Sequence, residues 1–207
     1  MRYTGPKNRI ARREGIDLGL KTPGSKSHAS LMRRVAVLPG QHGTSRRRKK
    51  LSERSRQLRE KQKLRFIFGL TETQLKNYFQ KAVSSKGNTG FLLGQLLEKR
   101  LDNVVYRLGF APTRASARQL VNHGHVTVND TLMNIPSYKV EIHDTIRFRK
   151  EKTAKIPYVE AMLDSKDLFT PSWVKKEGVV GKLVGEPTSE DIEKQVNLRS
   201  VIEFYSR

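Results

Sequence analysis

Cysteine is absent from this chain of 207 residues. No disulfide framework, thiol nucleophile or cysteine–zinc site is therefore available. The histidines (His28, His42, His123, His125 and His143) fall at none of the spacings, such as HExxH, that bring two imidazoles and a carboxylate to one metal. The sequence gives reason to expect no metal and no cofactor. No apolar run approaches the roughly 18 residues that a membrane helix needs, so no membrane partner is expected. The N-terminal stretch also lacks the continuous apolar core of a signal peptide. An aromatic stacking motif of the RNP type is missing as well, which argues against base-by-base reading of single-stranded RNA. Apolar residues make up only 36% of the chain. The usual share is about 45–50%, although that figure counts glycine, so a modest core can serve only part of the sequence.

Positive charge is what the chain has in excess. Its 41 Lys and Arg outnumber 20 Asp and Glu, for a net charge of +21. The excess is concentrated at one end, since residues 1–65 hold 20 basic and 4 acidic side chains. Such a segment repels itself unless a polyanion neutralises it. Nucleic acid fits that role, because each paired phosphate also releases condensed counterions. An organelle transit peptide has the same Arg-rich, acid-poor look, but RNA-type motifs follow soon after.

Residues 1–50 show no sustained helical or strand period and are rich in Gly, Pro, Ser and Arg. They read as an extended arm that orders on contact with a partner. Within it, Pro39-Gly40-Gln41-His42-Gly43 argues against a featureless tail, and Arg46–Lys50 (RRRKK) closes it. From Ser52, an N-cap, the pattern predicts a helix to about Phe68 with a narrow apolar stripe of Leu58, Leu64 and Ile67, ended by Gly69. Thr71 and Gln74 form a capping box for a second, amphipathic helix ending near Gly87. From Phe91 to Leu108 the apolar spacing fits one long helix or two short ones bent near Lys99-Arg100. Thr113 caps a short helix from Arg114 to about Asn122, stopped by Gly124.

Strand signals follow at His125–Asn129, Leu132–Ile135 and Asp144–Arg149, with a turn at Asn129-Asp130. A helix near 157–165, core roles for Trp173 and the Val179–Val184 stretch, and a last helix capped by Thr188 or Ser189 complete the reading. The ending SVIEFYSR is apolar enough to dock on a body.

The densest signal lies between Arg100 and Arg149. On the predicted helix from Arg114, Arg118 sits four residues on and Asn122 continues that face, while Ala117, Leu120 and Val121 lie opposite. The helix should bury one face and present guanidinium forks on the other, where they suit phosphate oxygens and unpaired bases. The N–H groups at its start favour anions further. Glu98 and Asp102 could be mistaken for a catalytic acid pair, but beside Arg100 they read as packing or salt-bridge partners. His123 and His125 flank a glycine at a helix-to-strand corner, where a structural hydrogen bond and an RNA contact are both open.

The stretch RLDNVVYRLGFAPTRASARQLVNHGHVTVND resembles the small RNA-binding module named for the S-four family of small-subunit ribosomal proteins. PGQHG, QLREKQKLRFIFGLTETQ, NTGFLLGQLLEKRLDNVVYRLG and the terminal VIEFYSR extend the resemblance over nearly the whole chain. It implies an α+β fold with an extended basic N-terminal arm (1–50) and an all-helical domain (51–98, with 188–207 packing back on it). An inserted α/β domain (99–187) carries the core RNA-binding module at about 100–150. It also implies a structural, non-enzymatic constituent of the small ribosomal subunit, a primary ribosomal-RNA binder that nucleates assembly and contributes to translational accuracy.

The implied partners are small-subunit ribosomal RNA, at a helix junction of its 5′ domain, the fifth small-subunit protein, and messenger RNA near its path into the subunit. The implied location is a cytoplasmic ribosome or, alternatively, a plastid or mitochondrial one. The expected RNA contacts are Arg2, Arg9, Arg12, Arg13, His42, Arg46, Arg47, Arg48, Lys49 and Lys50 in the arm. Arg54, Arg56, Arg59, Lys61, Lys63 and Arg65 follow on the first long helix, and Arg114, Arg118, Gln119, Asn122 and His123 in the module.

Two departures from the family pattern stand out. Many members begin with four zinc-binding cysteines; Asn8, Ala11, Ser25 and Ser30 stand there instead, so the arm is expected to fold through RNA contact. The hairpin turn reads Asn129-Asp130 where Asn-Gly is usual, and His143-Asp144 replaces Gly-Asp, which asks non-glycine residues to take turn positions. An RNA-modifying enzyme carrying the same module would need a catalytic domain, and the residues between 155 and 200 are too few for one. A stress factor for stalled large subunits would lack the helical domain.

Overall fold

The computed structural model describes residues 3–44, 50–165, 170–189, 191–192 and 195–206. Two compact units divide the chain, one of residues 1–90 with 195–207 and the other of residues 91–194.

In the first unit the arm is not extended. It forms helix α1 (Lys7–Glu14), ended by Gly15 at φ 71°, and helix α2 (Lys26–Met32), whose N-cap Ser25 accepts from the His28 N–H. Ile10, Ala11, Leu18 and Leu31 are buried. These apolar residues are too sparse to show a period, and polar ties complete the fold. The Asn8 amide donates to the Ser27 carbonyl at 3.1 Å, and His28 bonds Asp17 at 2.8 Å. Three of the positions aligned with family cysteines thus have structural work of another kind: Asn8 as a donor, Ala11 as core, Ser25 as a cap. One amide, one methyl and two hydroxyls offer no thiolate set, so zinc does not fit this arm.

Helix α3 (Glu53–Ile67) starts at Ser52, whose Oγ accepts from the Ser55 N–H. Helix α4 (Glu72–Ser84) carries the complete capping box of Thr71 and Gln74 and stops at Ser84, short of Gly87. The buried stripe of α3 differs from the expected one. Leu58 is 39% exposed, whereas Gln57 and Lys61 are buried with Leu64 and Ile67. Their partners explain this. Gln57 donates to Glu203 at 3.1 Å, and the Lys61 ammonium lies 2.7 Å from Glu72 and 4.6 Å from the Phe204 ring centre. Glu203 and Phe204 belong to the last helix, numbered α10 in chain order (Leu198–Tyr205), which packs on α3.

That last helix begins at Asn197, whose side chain accepts from the Ser200 N–H, and not at Thr188 or Ser189 as expected. Asp191 instead takes hydrogen bonds from the Thr188 N–H and hydroxyl, closing a turn.

In the second unit the run from Phe91 to Leu108 is two helices. Helix α5 (Thr89–Glu98) stops, Arg100 is extended (φ −69°, ψ 137°), and α6 (Leu101–Arg107) begins. The break is held by a passing loop: the Tyr138 and Pro136 carbonyls accept from the first N–H groups of α6, and the Lys99 carbonyl accepts from Val140. Helix α7 (Arg114–Asn122) follows. Strands β1 (Val126–Val128), β2 (Thr131–Leu132) and β3 (Thr145–Phe148) precede helices α8 (Glu151–Ala154) and α9 (Pro157–Asp164). Strands β4 (Val174–Glu177) and β5 (Val180–Leu183) come next.

The strands form one antiparallel sheet, in the order β2-β1-β3-β5-β4. Helices α6 and α7 and this sheet share a core that includes Leu101, Val105, Leu120, Val126, Ile146, Trp173 and Leu183. Val179 and Val184 are exposed, against expectation, because they flank the strand whose inward positions are Gly181 and Leu183. Gly181 is required there, since a Cβ would overlap the Leu108 side chain.

Among the described residues, the non-glycine residues at positive φ are Asn129 (47°), Asp130 (67°) and His143 (77°), three of the four at the substituted turns. The strain is offset by side-chain bonds. Asn129 donates to Asp144 at 2.7 Å and accepts from the Thr145 N–H at 2.9 Å.

Candidate nucleic-acid interface

Helix α7 is fixed at its start by a capping box. The Thr113 hydroxyl accepts from the Ser116 N–H, and the Ser116 hydroxyl accepts from the Thr113 N–H. Ala117, Leu120 and Val121 are buried, as the spacing requires. The opposite face is not the free row of guanidinium groups that the spacing suggests.

Arg118 lies 3.3 Å from Asp102 of α6, and Asp102 is also bound at 2.8 Å by Arg100, which is 1% exposed. Arg114 donates through Nε to the Asn103 carbonyl oxygen at 2.8 Å and stacks 4.7 Å from the Tyr106 ring centre. Asn103 in turn donates to Glu98 at 2.6 Å, and Arg107 binds both Glu98 carboxylate oxygens at 2.9 and 2.7 Å. Glu98 is fully buried. Burying charges costs free energy unless every group is paired, and this network pairs them.

Arg114 and Arg118 are therefore half-buried members of a structural network, a correction to the exposed-face expectation. Glu98 and Asp102 are ion-paired, as the sequence suggested, and neither is placed for acid–base chemistry. At the far end of α7, Gln119, Asn122 and His123 are exposed.

In the first unit Arg9, Arg13, His42, Lys50, Arg54 and Arg56 are exposed. Arg12 is spent inside the arm, donating to the carbonyls of Val37 at 2.9 Å and Leu38 at 3.0 Å. This clamp holds the chain entering the PGQHG turn, where a Cβ on Gly43 would collide with the Leu38 carbonyl. Arg59 donates to the Arg13 carbonyl at 3.1 Å, and Lys63 pairs with Glu60 at 2.7 Å. Arg65 stacks on the Phe66 ring. Lys61 is only 5% exposed, so it is no surface contact. Arg2, Arg46, Arg47, Arg48 and Lys49 lie outside the described residues.

Burial pulls the Glu72 carboxyl up, but hydrogen bonds from Lys61 and Tyr205 outweigh it and hold it below its ordinary range. Burial also pushes the Glu14 carboxyl up, and its neighbours Arg59, Lys63 and Arg13 only partly oppose this.

Sequence reasoning missed Asn103 and Tyr106, which hold Arg114. Helical spacing places Arg114 and Arg118 on a face but does not show what covers it. The acidic and amide residues of the preceding helix were the available signal.

Residues 2–98 match the family described as ribosomal protein S4/S9 N-terminal domain, and residues 99–146 match the S4 domain. A curated protein of Herpetosiphon aurantiacus, named small ribosomal subunit protein uS4, is 48% identical over 214 residues, covering 100% of this chain and 99% of its own. The chain belongs to the uS4 family of small ribosomal subunit proteins. Relatives of the same name in Aquifex aeolicus (48% identical over 213 residues) and Roseiflexus (44% over 211 residues) match it over 100% of its length and 99% of theirs. The family is structural and non-enzymatic.

Proposed function

We propose that this protein is a primary binder of small-subunit ribosomal RNA that helps nucleate subunit assembly in the bacterial cytoplasm. The observation that carries this reading is the match of uS4 relatives along the full chain, joined to unpaired cations on the surface of the first unit. The bacterial source of those relatives supports the cytoplasmic ribosome over the organellar alternatives.

The mechanism is charge neutralisation plus recognition of shape. Arg9, Arg13, Arg54 and Arg56, with the RRRKK run of Arg46–Lys50, neutralise phosphates. The capped helix α7 presents Gln119, Asn122 and His123 on a rigid body, and Arg114 and Arg118 keep that body in shape. Phosphate contacts position the protein without reading sequence, so preference comes from the arrangement of converging RNA helices, here a junction of the 5′ domain. Binding stabilises that arrangement and favours later proteins by population shift. The neighbouring fifth protein and the messenger path, with their influence on accuracy, belong to the same reading.

The test is filter binding to a 5′-domain fragment of small-subunit ribosomal RNA against a scrambled RNA of equal length. Tighter, salt-sensitive binding to the ribosomal fragment is expected. Equal affinity for both RNAs would overturn the proposal.

A further inference from the structure

The network around Asp102 and Glu98 leaves a question: where does the second unit keep charge that is free to meet phosphate? The segment Arg147–Lys155 (RFRKEKTAK) holds five basic residues and one acid. All five basic side chains are exposed. Arg147 is paired with Asp130. Among the described residues, the side chains of Arg149, Lys150, Lys152 and Lys155 have no hydrogen bond or ion pair, whereas Arg100, Arg107, Arg114 and Arg118 are all engaged. A guanidinium already paired with a carboxylate brings little net charge to a phosphate. An unpaired one brings its full charge and releases a counterion for each phosphate it meets.

Position supports the same reading. The segment runs off β3 onto α8, and the Arg149 N–H donates to the His125 carbonyl at 2.9 Å. Thr153 is buried, and its hydroxyl bonds the His125 imidazole at 3.3 Å. The His125 and His123 ring centres are 6.2 Å apart. The free cations thus begin beside the exposed end of α7 and sit on backbone tied down from beneath. Ordering them on RNA costs only side-chain freedom.

We infer that Arg149, Lys150, Lys152 and Lys155 form a second phosphate-backbone contact, continuing the α7 surface of Asn122 and His123 along the RNA. This rests on the RNA-binding reading above and adds a site to it. The ligand class is RNA backbone rather than bases, because the segment offers point charges and no exposed aromatic ring.

The test uses the full chain with R149Q, K150Q, K152Q and K155Q together, bound to the 5′-domain fragment between 50 and 200 mM KCl. Each phosphate contact contributes a slope of about 0.7–0.9 in log affinity against log salt. The quadruple variant is expected to have a slope shallower by about 3, with affinity down roughly 10–100-fold, and an unchanged circular-dichroism melt. Exchanging each Arg for Lys and each Lys for Arg, which keeps the charge, should restore the parent slope even if the Gln variant folds poorly. A parent-like slope in a folded Gln variant would overturn the site. So would a segment that holds polyglutamate while leaving the RNA slope untouched, since that assigns it to an acidic protein surface. A parent that binds scrambled RNA equally well would overturn the underlying RNA reading instead, without involving the variants.

Discussion

The two units spend arginine differently. In the first, Arg9, Arg13 and Arg56 stand exposed, while its buried helix stripe admits Gln57 and Lys61. In the second, Arg100, Arg107, Arg114 and Arg118 are drawn into contacts with Asp102, Glu98 and Asn103, and a continuous apolar core sits beneath. Under the proposed function the exposed arginines are left for RNA, whereas the engaged ones, Arg12 and Arg59 of the first unit included, serve the fold. What decides is whether an acceptor, be it a carboxylate, an amide or a backbone carbonyl, stands within hydrogen-bond reach. A count of basic residues cannot tell these uses apart; a list of their partners can.

The largest expected effect breaks the second unit's network. Glu98→Ala removes a fully buried carboxylate and strands Arg107, and should cost about 3–5 kcal/mol by urea denaturation. A cost below about 1 kcal/mol would mean the network is not structural. Next, Arg114→Gln with Arg118→Gln should destabilise by about 1–2 kcal/mol, since both bonds to α6 are lost. An unchanged melt would restore the solvated-face reading of that helix.

A smaller stability effect is expected on the other side of the comparison. Arg9, Arg13, Lys50 and Arg56, all changed to Gln, should each shift stability by no more than about 0.5 kcal/mol while together flattening the salt dependence of RNA binding. Smallest is Glu14→Gln. The Glu14 carboxyl is raised by burial, and its Oε2 is buried with no hydrogen-bond partner. As pH rises past the ordinary carboxylate value, the unfolded chain releases this proton before the folded one, so the fold loses stability up to the raised value. Glu14→Gln removes that loss. Its melting-temperature advantage over the parent should therefore grow from about pH 4 to about pH 7, and an advantage that shrinks with pH would contradict the buried state of Glu14.

Much of this was legible in the residues. Caps at Ser52, Thr71 and Thr113, stops at Gly69 and Gly124, and the awkward turns at Asn129-Asp130 and His143 are local chemistry, and local chemistry is written in order along a chain. The PGQHG turn and the module motifs carried the family. What was not legible depends on partners far away in sequence. Lys61 is buried because Glu72 and Phe204 receive it. The arm folds because sparse apolar residues are joined by ties such as Asn8 to Ser27 and Arg12 to Val37. The guanidinium row of α7 is covered because α6 places Asp102 and Asn103 beneath it. A helical period reports a face, not its cover.

The most direct test of this division compares two variants in one experiment. Salt-dependent affinity for the 5′-domain fragment and the thermal melt would be measured for the Arg9, Arg13, Lys50 and Arg56 variant and for the Arg114 and Arg118 variant. The account predicts that the first loses salt slope and keeps its melt, while the second loses melting temperature and keeps most of its slope. The reverse pattern, with slope lost only in the second and its melt intact, would contradict it.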